Sequence, residues 1–146
     1  MKIFAQLAVI SGCLFASGCW PVSDRVRQIE NAELHPLGEE CEGAFYKVKG
    51  RALVFVEGNG ASQKLEDNAI LREAEGAVIL EFGSEPLMFQ WVLTSTDAEN
   101  IVGLESRLKH PLTEAETAFY KRTTGKVPDD ANNIWQSFKG FTICPA

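Results

Sequence analysis

The sequence predicts an α+β domain with a small, mostly antiparallel sheet of four to six strands, two short C-terminal helices and one disulfide bond. Short runs of β-branched and aromatic residues alternate with glycine-containing turns, a pattern typical of strands joined by hairpins. A helix-capping motif follows these runs at Thr113. Short connections favour antiparallel neighbours, and helices that come after the strands favour the α+β class.

The first strand signal lies in 45–57, which is rich in β-forming residues and is interrupted by Gly50. Its second half, 52–56, is apolar at every position, as in a central strand with both faces buried. Gly58-Asn59-Gly60 then ends the strand. This loop lacks the GxGxxG spacing and the lysine of a P-loop, so it predicts a turn and not a phosphate site. Residues 69–73 predict a further short strand or a helical turn.

The clearest hairpin joins 77–82 to 87–93. In its second strand, Leu87, Phe89, Trp91 and Leu93 share one face because side chains alternate along a strand. We expect this stripe to pack in the core. Alternatively, Phe89 and Trp91, together with Trp135, form an apolar binding surface or the wall of a pocket for a small molecule or lipid.

The C-terminal part predicts one more strand at 101–108 and then two helices. The first helix begins after Thr113, where Glu116 completes a capping box, and it ends before Gly125. The second follows Asp130 and directs Ile134, Trp135 and Phe138 towards the core. Residues 141–143 predict a final strand.

The N-terminus has the layout of a secretory signal, with Lys2 followed by the mostly apolar stretch 3–16. This stretch is shorter than the roughly 20 residues that cross a bilayer. Two small residues, Ser17 and Gly18, and then Cys19 follow this stretch, and this ending resembles the lipobox of bacterial lipoproteins. The resemblance implies cleavage after residue 18 and acylation of Cys19. An ordinary signal peptidase that cuts near Gly18 would instead leave Cys19 as a thiol.

The lipoprotein resemblance divides the chain into a signal peptide (1–18), a lipidated N-terminus with a tether (19–40) and one globular domain (41–146). It implies attachment to a membrane through lipid on Cys19, since two or more acyl chains anchor a protein stably. Trp20 follows the cysteine in place of an aspartate, which implies the outer membrane, facing the periplasm, in a Gram-negative cell. Within the tether, 24–30 predicts a short helix with Val26, Ile29 and Leu34 on one side.

Two cysteines remain once Cys13 leaves with the signal and Cys19 takes the lipid. Cys41 and Cys144 allow a single intramolecular pairing in an exported protein that meets an oxidising compartment. They lack the close spacing of redox pairs and zinc ligands. We therefore predict a structural disulfide between them.

Composition and motifs exclude several classes of function. With 14 basic and 20 acidic residues the chain is acidic, which argues against binding of nucleic acid. His35 and His110 each precede a proline and form no metal-ligand motif. No GxSxG motif is present, and the sequence predicts no catalytic residue, metal or cofactor.

The sequence therefore predicts a lipid-anchored envelope protein that acts by binding another envelope protein, in an accessory, assembly or inhibitory role. One alternative is a lipoprotein that binds a small molecule or lipid. The other is a hydrolase of envelope polymers that uses two of the strand carboxylates, Glu57, Glu73, Glu81 and Glu85.

Overall fold

The computed structural model describes residues 22–38, 40–126 and 138–146. These residues form a single antiparallel sheet of nine strands and two short helices, α1 (Val22–Glu30) and α2 (Glu114–Thr124). The strands are β1 (Ala32–Pro36), β2 (Phe45–Lys49), β3 (Ala52–Val56), β4 (Ser62–Glu66), β5 (Ile70–Ala74), β6 (Ala77–Ser84), β7 (Leu87–Ser95), β8 (Ile101–Leu108) and β9 (Gly140–Pro145). Their order in the sheet is β4-β3-β2-β1-β9-β8-β7-β6-β5.

The predicted α+β fold with four to six strands is wrong, because most of the described chain belongs to this one sheet. The sequence pattern did not predict β4, a polar edge strand whose first three residues are exposed, or β1, which lay in the predicted tether. It also placed β3 at the centre of the sheet, whereas β3 is next to the edge and only Leu53 of it is buried. The second predicted C-terminal helix, after Asp130, lies outside the described residues.

The predicted hairpin of β6 and β7 is confirmed, with Val78 opposite Leu93 and Ser84 opposite Leu87. Strand β8 continues this meander and then pairs with β9. Strand β1 pairs on one side with β2 and on the other with β9. Because β1 lies inside the sheet, the folded domain includes residues that the sequence analysis assigned to the tether.

The sheet curls until its two edges come close together. Nine flat strands would hold the edge strands about 38 Å apart, because neighbours are about 4.8 Å apart. Only three residues connect Glu66, at the end of β4, to Ile70, at the start of β5. Four extended peptide units span at most about 15 Å. In this connection the Ala69 N–H donates to the Arg51 carbonyl at 2.8 Å, next to β3.

The inner face of the curled sheet encloses an aromatic core. Trp91 and Phe141 are fully buried with ring centroids 5.3 Å apart, and Tyr46 meets Trp91 edge-on at 5.4 Å. Helix α1 adds Ile29 to the same core, and Val26 packs against it, as the predicted helix face requires. The core therefore fixes α1 against the sheet.

The Cys41–Cys144 disulfide is present, with the two Cα atoms 5.8 Å apart and a sequence separation of 103 positions. It ties the loop after β1 to β9. Cys144 is buried and Cys41 is exposed, so the bond joins the surface loop to the sheet. The loop's other contacts include His35, whose Nδ1 lies 3.0 Å from the Glu42 carbonyl oxygen.

Candidate binding surface

Two of the three residues of the predicted apolar binding surface lie in the core. Trp91 is 0% exposed and Phe89 is 9% exposed. The rings of Phe82, Tyr46 and Phe141 surround Trp91, so the stripe on β7 packs against other core residues. The third residue, Trp135, lies outside the described residues, as does the predicted lipidation site Cys19. Phe89 and Trp91 therefore cannot contact a partner at the surface of the folded protein.

Local sequence signals define helix α2 at both ends. The Thr113 hydroxyl accepts a hydrogen bond from the Glu116 N–H at 3.2 Å, and the Glu116 carboxylate accepts from the Thr113 N–H at 2.8 Å. At the other end, Gly125 has a φ of 72° and its N–H donates to the Lys121 carbonyl at 2.9 Å. This φ is in the left-handed region that favours glycine. The predicted helix and its capping box are confirmed.

No residue of α2 is buried. An isolated helix of about ten residues is marginally stable in water, and most helices gain stability from packing of one face. Phe119 of α2 is 59% exposed, and Ala115 and Ala118 beside it are exposed as well. An exposed aromatic side chain among small residues is typical of a protein–protein contact.

A groove of about 440 Å³ lies between α2 and the turn that joins β6 to β7. Its walls are three apolar side chains and two carboxylates: Pro86, Ala115, Phe119, Glu85 and Glu116. His110 Nε2 is 3.9 Å from Glu85 Oε1 at its edge. The surface formed by α2 and this turn, which we call the α2 surface, thus combines an apolar anchor with acidic groups.

The α2 surface lies at the end of the sheet away from the start of α1. Arg25, in the first turn of α1, donates to the Glu99 carbonyl at 2.9 Å and to the Ser95 hydroxyl at 3.3 Å. Ser95 is the last residue of β7, and Glu99 lies in the connection just before β8 begins. Helix α2 follows the other end of β8, whose eight residues span about 26 Å. The N-terminal segment and the α2 surface therefore lie at opposite ends of β8.

A buried carboxylate organises the other face of β5 to β8. The Glu81 carboxylate accepts from Arg72 Nε at 2.7 Å and from Gln90 Nε2 at 3.2 Å, and Lys109 Nζ lies 3.0 Å away. Burial by itself raises the pKa of Glu81, but these hydrogen bonds outweigh it and lower the pKa to about 2. Glu81 therefore stays ionised near neutral pH and is occupied by structural partners, which does not suit a general acid or base.

The network extends across the sheet from Glu81. The Gln90 side-chain oxygen accepts from Arg107 Nε at 2.9 Å, and Arg107 in turn contacts the Glu75 carboxylate at 3.3 Å. Register places Gln90 opposite both Glu81 and Arg107. Each carboxylate of the network thus has a cationic partner, and the arrangement is that of a structural ladder across four strands.

The histidines do not form a metal site. His35 is 1% exposed; its Nε2 lies 3.1 Å from the Glu33 carboxylate, and its ring packs on Phe45. His110 lies on the exposed segment after β8. Within residues 22–38, 40–126 and 138–146, no group of three or more histidine, cysteine or acidic residues could hold a metal ion. Both ring nitrogens of His35 face protein acceptors, so the ring serves the fold.

Comparison of the chain with protein-family models, curated proteins and solved structures gave no match. In the described part of the chain, no helix has the length and apolar character needed to cross a membrane.

Phe119 was not predicted to be a surface residue. The available signal was that α2 carries few large apolar side chains, so a helix with Ala115, Ala118 and Phe119 on one side has little to bury.

Proposed function

We propose that this protein is a lipid-anchored component of the cell envelope that acts by binding another protein, in an accessory, assembly or inhibitory role. The single observation that carries the binding function is Phe119, 59% exposed on a helix that buries none of its own residues. The lipobox-type ending Ser17-Gly18-Cys19 supports the lipid anchor.

The positions of the anchor and of the α2 surface are compatible with this function. Cys19 precedes the first residue of α1 by three positions, so an acyl group on it holds the α1 end of the domain near the membrane. The α2 surface follows the opposite end of β8. A partner approaching from the aqueous side would therefore meet Phe119 without obstruction by the bilayer.

Photo-cross-linking in intact cells tests the proposal. A photoreactive amino acid at position 119 should give one dominant adduct, and a second one at Glu85, across the groove, should capture the same protein. Gln63, exposed on edge strand β4, is the matched control position and should not capture it. If positions 119 and 63 yield the same set of abundant envelope proteins, the α2 surface is not a binding site.

A further inference from the structure

We propose that the partner segment that occupies the groove beside α2 is cationic, with a lysine or arginine side chain next to an apolar one. The inference rests on the proposed function, because it names the chemistry of the partner on the same surface. The apolar walls of the groove, the carboxylates beside them and the order of charges along α2 support it.

One side of α2 forms a wall of the groove. Phe119 lies three positions after Glu116 and four after Ala115, so the three residues share this side of the helix. Glu85 and Pro86, on the turn between β6 and β7, form the opposite wall. Because Phe119 is 59% exposed, an apolar side chain of a partner that entered the groove would remove much of the phenyl ring from water.

The two carboxylates of the groove have no lysine or arginine partner in the described part of the chain. Glu85 is exposed, and His110 Nε2 lies 3.9 Å from its Oε1. Lys109, the residue before His110, has its Nζ 3.0 Å from the Glu81 carboxylate. The walls of the groove therefore combine apolar side chains with the negative charge of Glu85 and Glu116.

Helix capping explains one of these carboxylates but not the other. Glu116 Oε2 accepts from the Thr113 N–H at 2.8 Å, as a capping box requires. Glu85 lies outside the helix, so neither capping nor the helix dipole accounts for it. Its contact with His110 is long and exposed, and exposed pairs contribute little to stability. The Glu85 carboxylate is therefore available to a cationic group of a partner.

The order of charges along α2 determines where the cationic residue of the partner lies. Arg122 follows Phe119 by three positions, on the same side of the helix, and is not a wall of the groove. This side of α2 is therefore negative at Glu116 and positive at Arg122. A complementary segment places its lysine or arginine between Glu85 and Glu116 and its apolar side chain on Phe119.

Neutralisation of the two carboxylates, combined with photo-cross-linking in intact cells, tests the inference. A photoreactive phenylalanine derivative at position 119 keeps an aromatic ring there. Glu85→Gln together with Glu116→Gln should lower the yield of the dominant adduct about fivefold, because the complex loses its ion pairs. Glutamine also completes a capping box, so the circular dichroism spectrum should not change.

Glu73→Gln is the matched control for this neutralisation. Glu73 is an exposed carboxylate on edge strand β5, opposite Val78 and therefore near the start of β6, whereas the groove lies beyond its end. Glu73→Gln should leave the adduct yield unchanged within about twofold. Equal yields from the Glu73→Gln chain and from the double glutamine variant would overturn the inference.

The cross-linked segment of the partner provides the second arm of the test. Mass spectrometry of the adduct at position 119 should identify a segment with a lysine or arginine beside the cross-linked residue. Glu85→Lys should lower the yield, and changing that lysine or arginine of the partner to glutamate should restore it. A segment without a lysine or arginine, or a reversal that does not restore the yield, would contradict the inference.

The two proposals can fail separately. If position 119 captures one dominant protein that position 63 does not capture, and the double glutamine variant gives the same yield, the cationic-segment inference is wrong and the binding function stands. If positions 119 and 63 capture the same set of abundant proteins, both are wrong.

Discussion

Asn68 and Gly83 hydrogen-bond each other twice across the place where the two edges of the curled sheet meet. The Asn68 side-chain amide donates to the Gly83 carbonyl, and the Gly83 N–H donates to Asn68 Oδ1 at 3.2 Å. Asn68 lies in the short connection from β4 to β5, and Gly83 lies on β6. The pair therefore holds the connection against β6 and helps to fix the curvature of the sheet.

Gly83 should tolerate no larger residue. Its φ of 112° is rarely adopted by residues with a Cβ, and a Cβ there would meet the Leu87 carbonyl oxygen. We expect Gly83→Ala to lower the free energy of unfolding by about 2–4 kcal/mol in urea denaturation. Gly60→Ala is the control, since Gly60 has a φ of 87° and open space around it, and it should cost about 1 kcal/mol. Equal losses would show that the close approach to Leu87 has no effect.

The buried Glu81 carboxylate should make stability depend on acid. Its pKa of about 2 lies below the ordinary value of 4.5, so its contribution is fully present above pH 4.5 and is lost as the pH falls towards 2. We expect Glu81→Gln to lower the free energy of unfolding by about 1–3 kcal/mol at neutral pH. The loss should shrink between pH 4.5 and pH 2, measured by denaturation at each pH.

Glu105, exposed on β8, is the control for Glu81. Glu105→Gln should change the free energy of unfolding by less than about 0.5 kcal/mol at every pH. A Glu81→Gln penalty that is the same at pH 3 and pH 7 would contradict the assignment of a low pKa to Glu81.

The disulfide should contribute strongly to stability. Cys41 and Cys144 close a loop of 103 positions, for which the chain-entropy model gives about 4.7 kcal/mol as an upper value. We expect the double variant Cys41→Ser, Cys144→Ser to lose about 2–4 kcal/mol in urea denaturation. Reductant should destabilise the natural chain by a similar amount and leave the double variant unchanged. A reductant effect on the double variant would assign the stabilisation to another bond.

Phe119 should matter for binding and not for folding. Because its side chain is mostly exposed, Phe119→Ala should change the free energy of unfolding by less than about 0.5 kcal/mol. Phe141→Ala, which empties a fully buried position, should cost about 3–5 kcal/mol. A loss of several kcal/mol from Phe119→Ala would show that the helix packs against the domain.

Features determined by nearby residues could be predicted from the sequence. The β6–β7 hairpin depends on two adjacent apolar runs and a short turn, and α2 depends on Thr113, Glu116 and Gly125. The pairing of Cys41 with Cys144 was predicted from the two cysteines that remain outside the predicted signal and lipidation site. In each case the deciding residues are close in sequence or few in number.

Features determined by distant residues could not be predicted. Strand β1 is held between β2 and β9, and β9 lies near the other end of the chain. The residues of β1 include Glu33, His35 and Pro36, and they do not show the alternation of apolar and polar residues that predicts a strand. Strand β4 lies at the edge of the sheet, where most of its residues are exposed and polar, so its sequence does not show the apolar residues that predict a strand.

Exposure was the least predictable property of the candidate site. Alternation along β7 placed Phe89 and Trp91 on one face, but only the surrounding strands decide that this face is buried. Phe119 is exposed on a helix with no buried residue, and the small number of large apolar side chains in α2 was the one local signal of this.

Intact mass spectrometry of the protein extracted from its native membrane without reductant tests the lipid-anchored account most directly. The account predicts a chain that begins at Cys19, carries a lipid adduct, and is lighter than its reduced form by the two hydrogens of the Cys41 and Cys144 thiols. A chain that begins at or near Cys19 without lipid would contradict it, because the protein would then be an exported protein with no membrane anchor at Cys19.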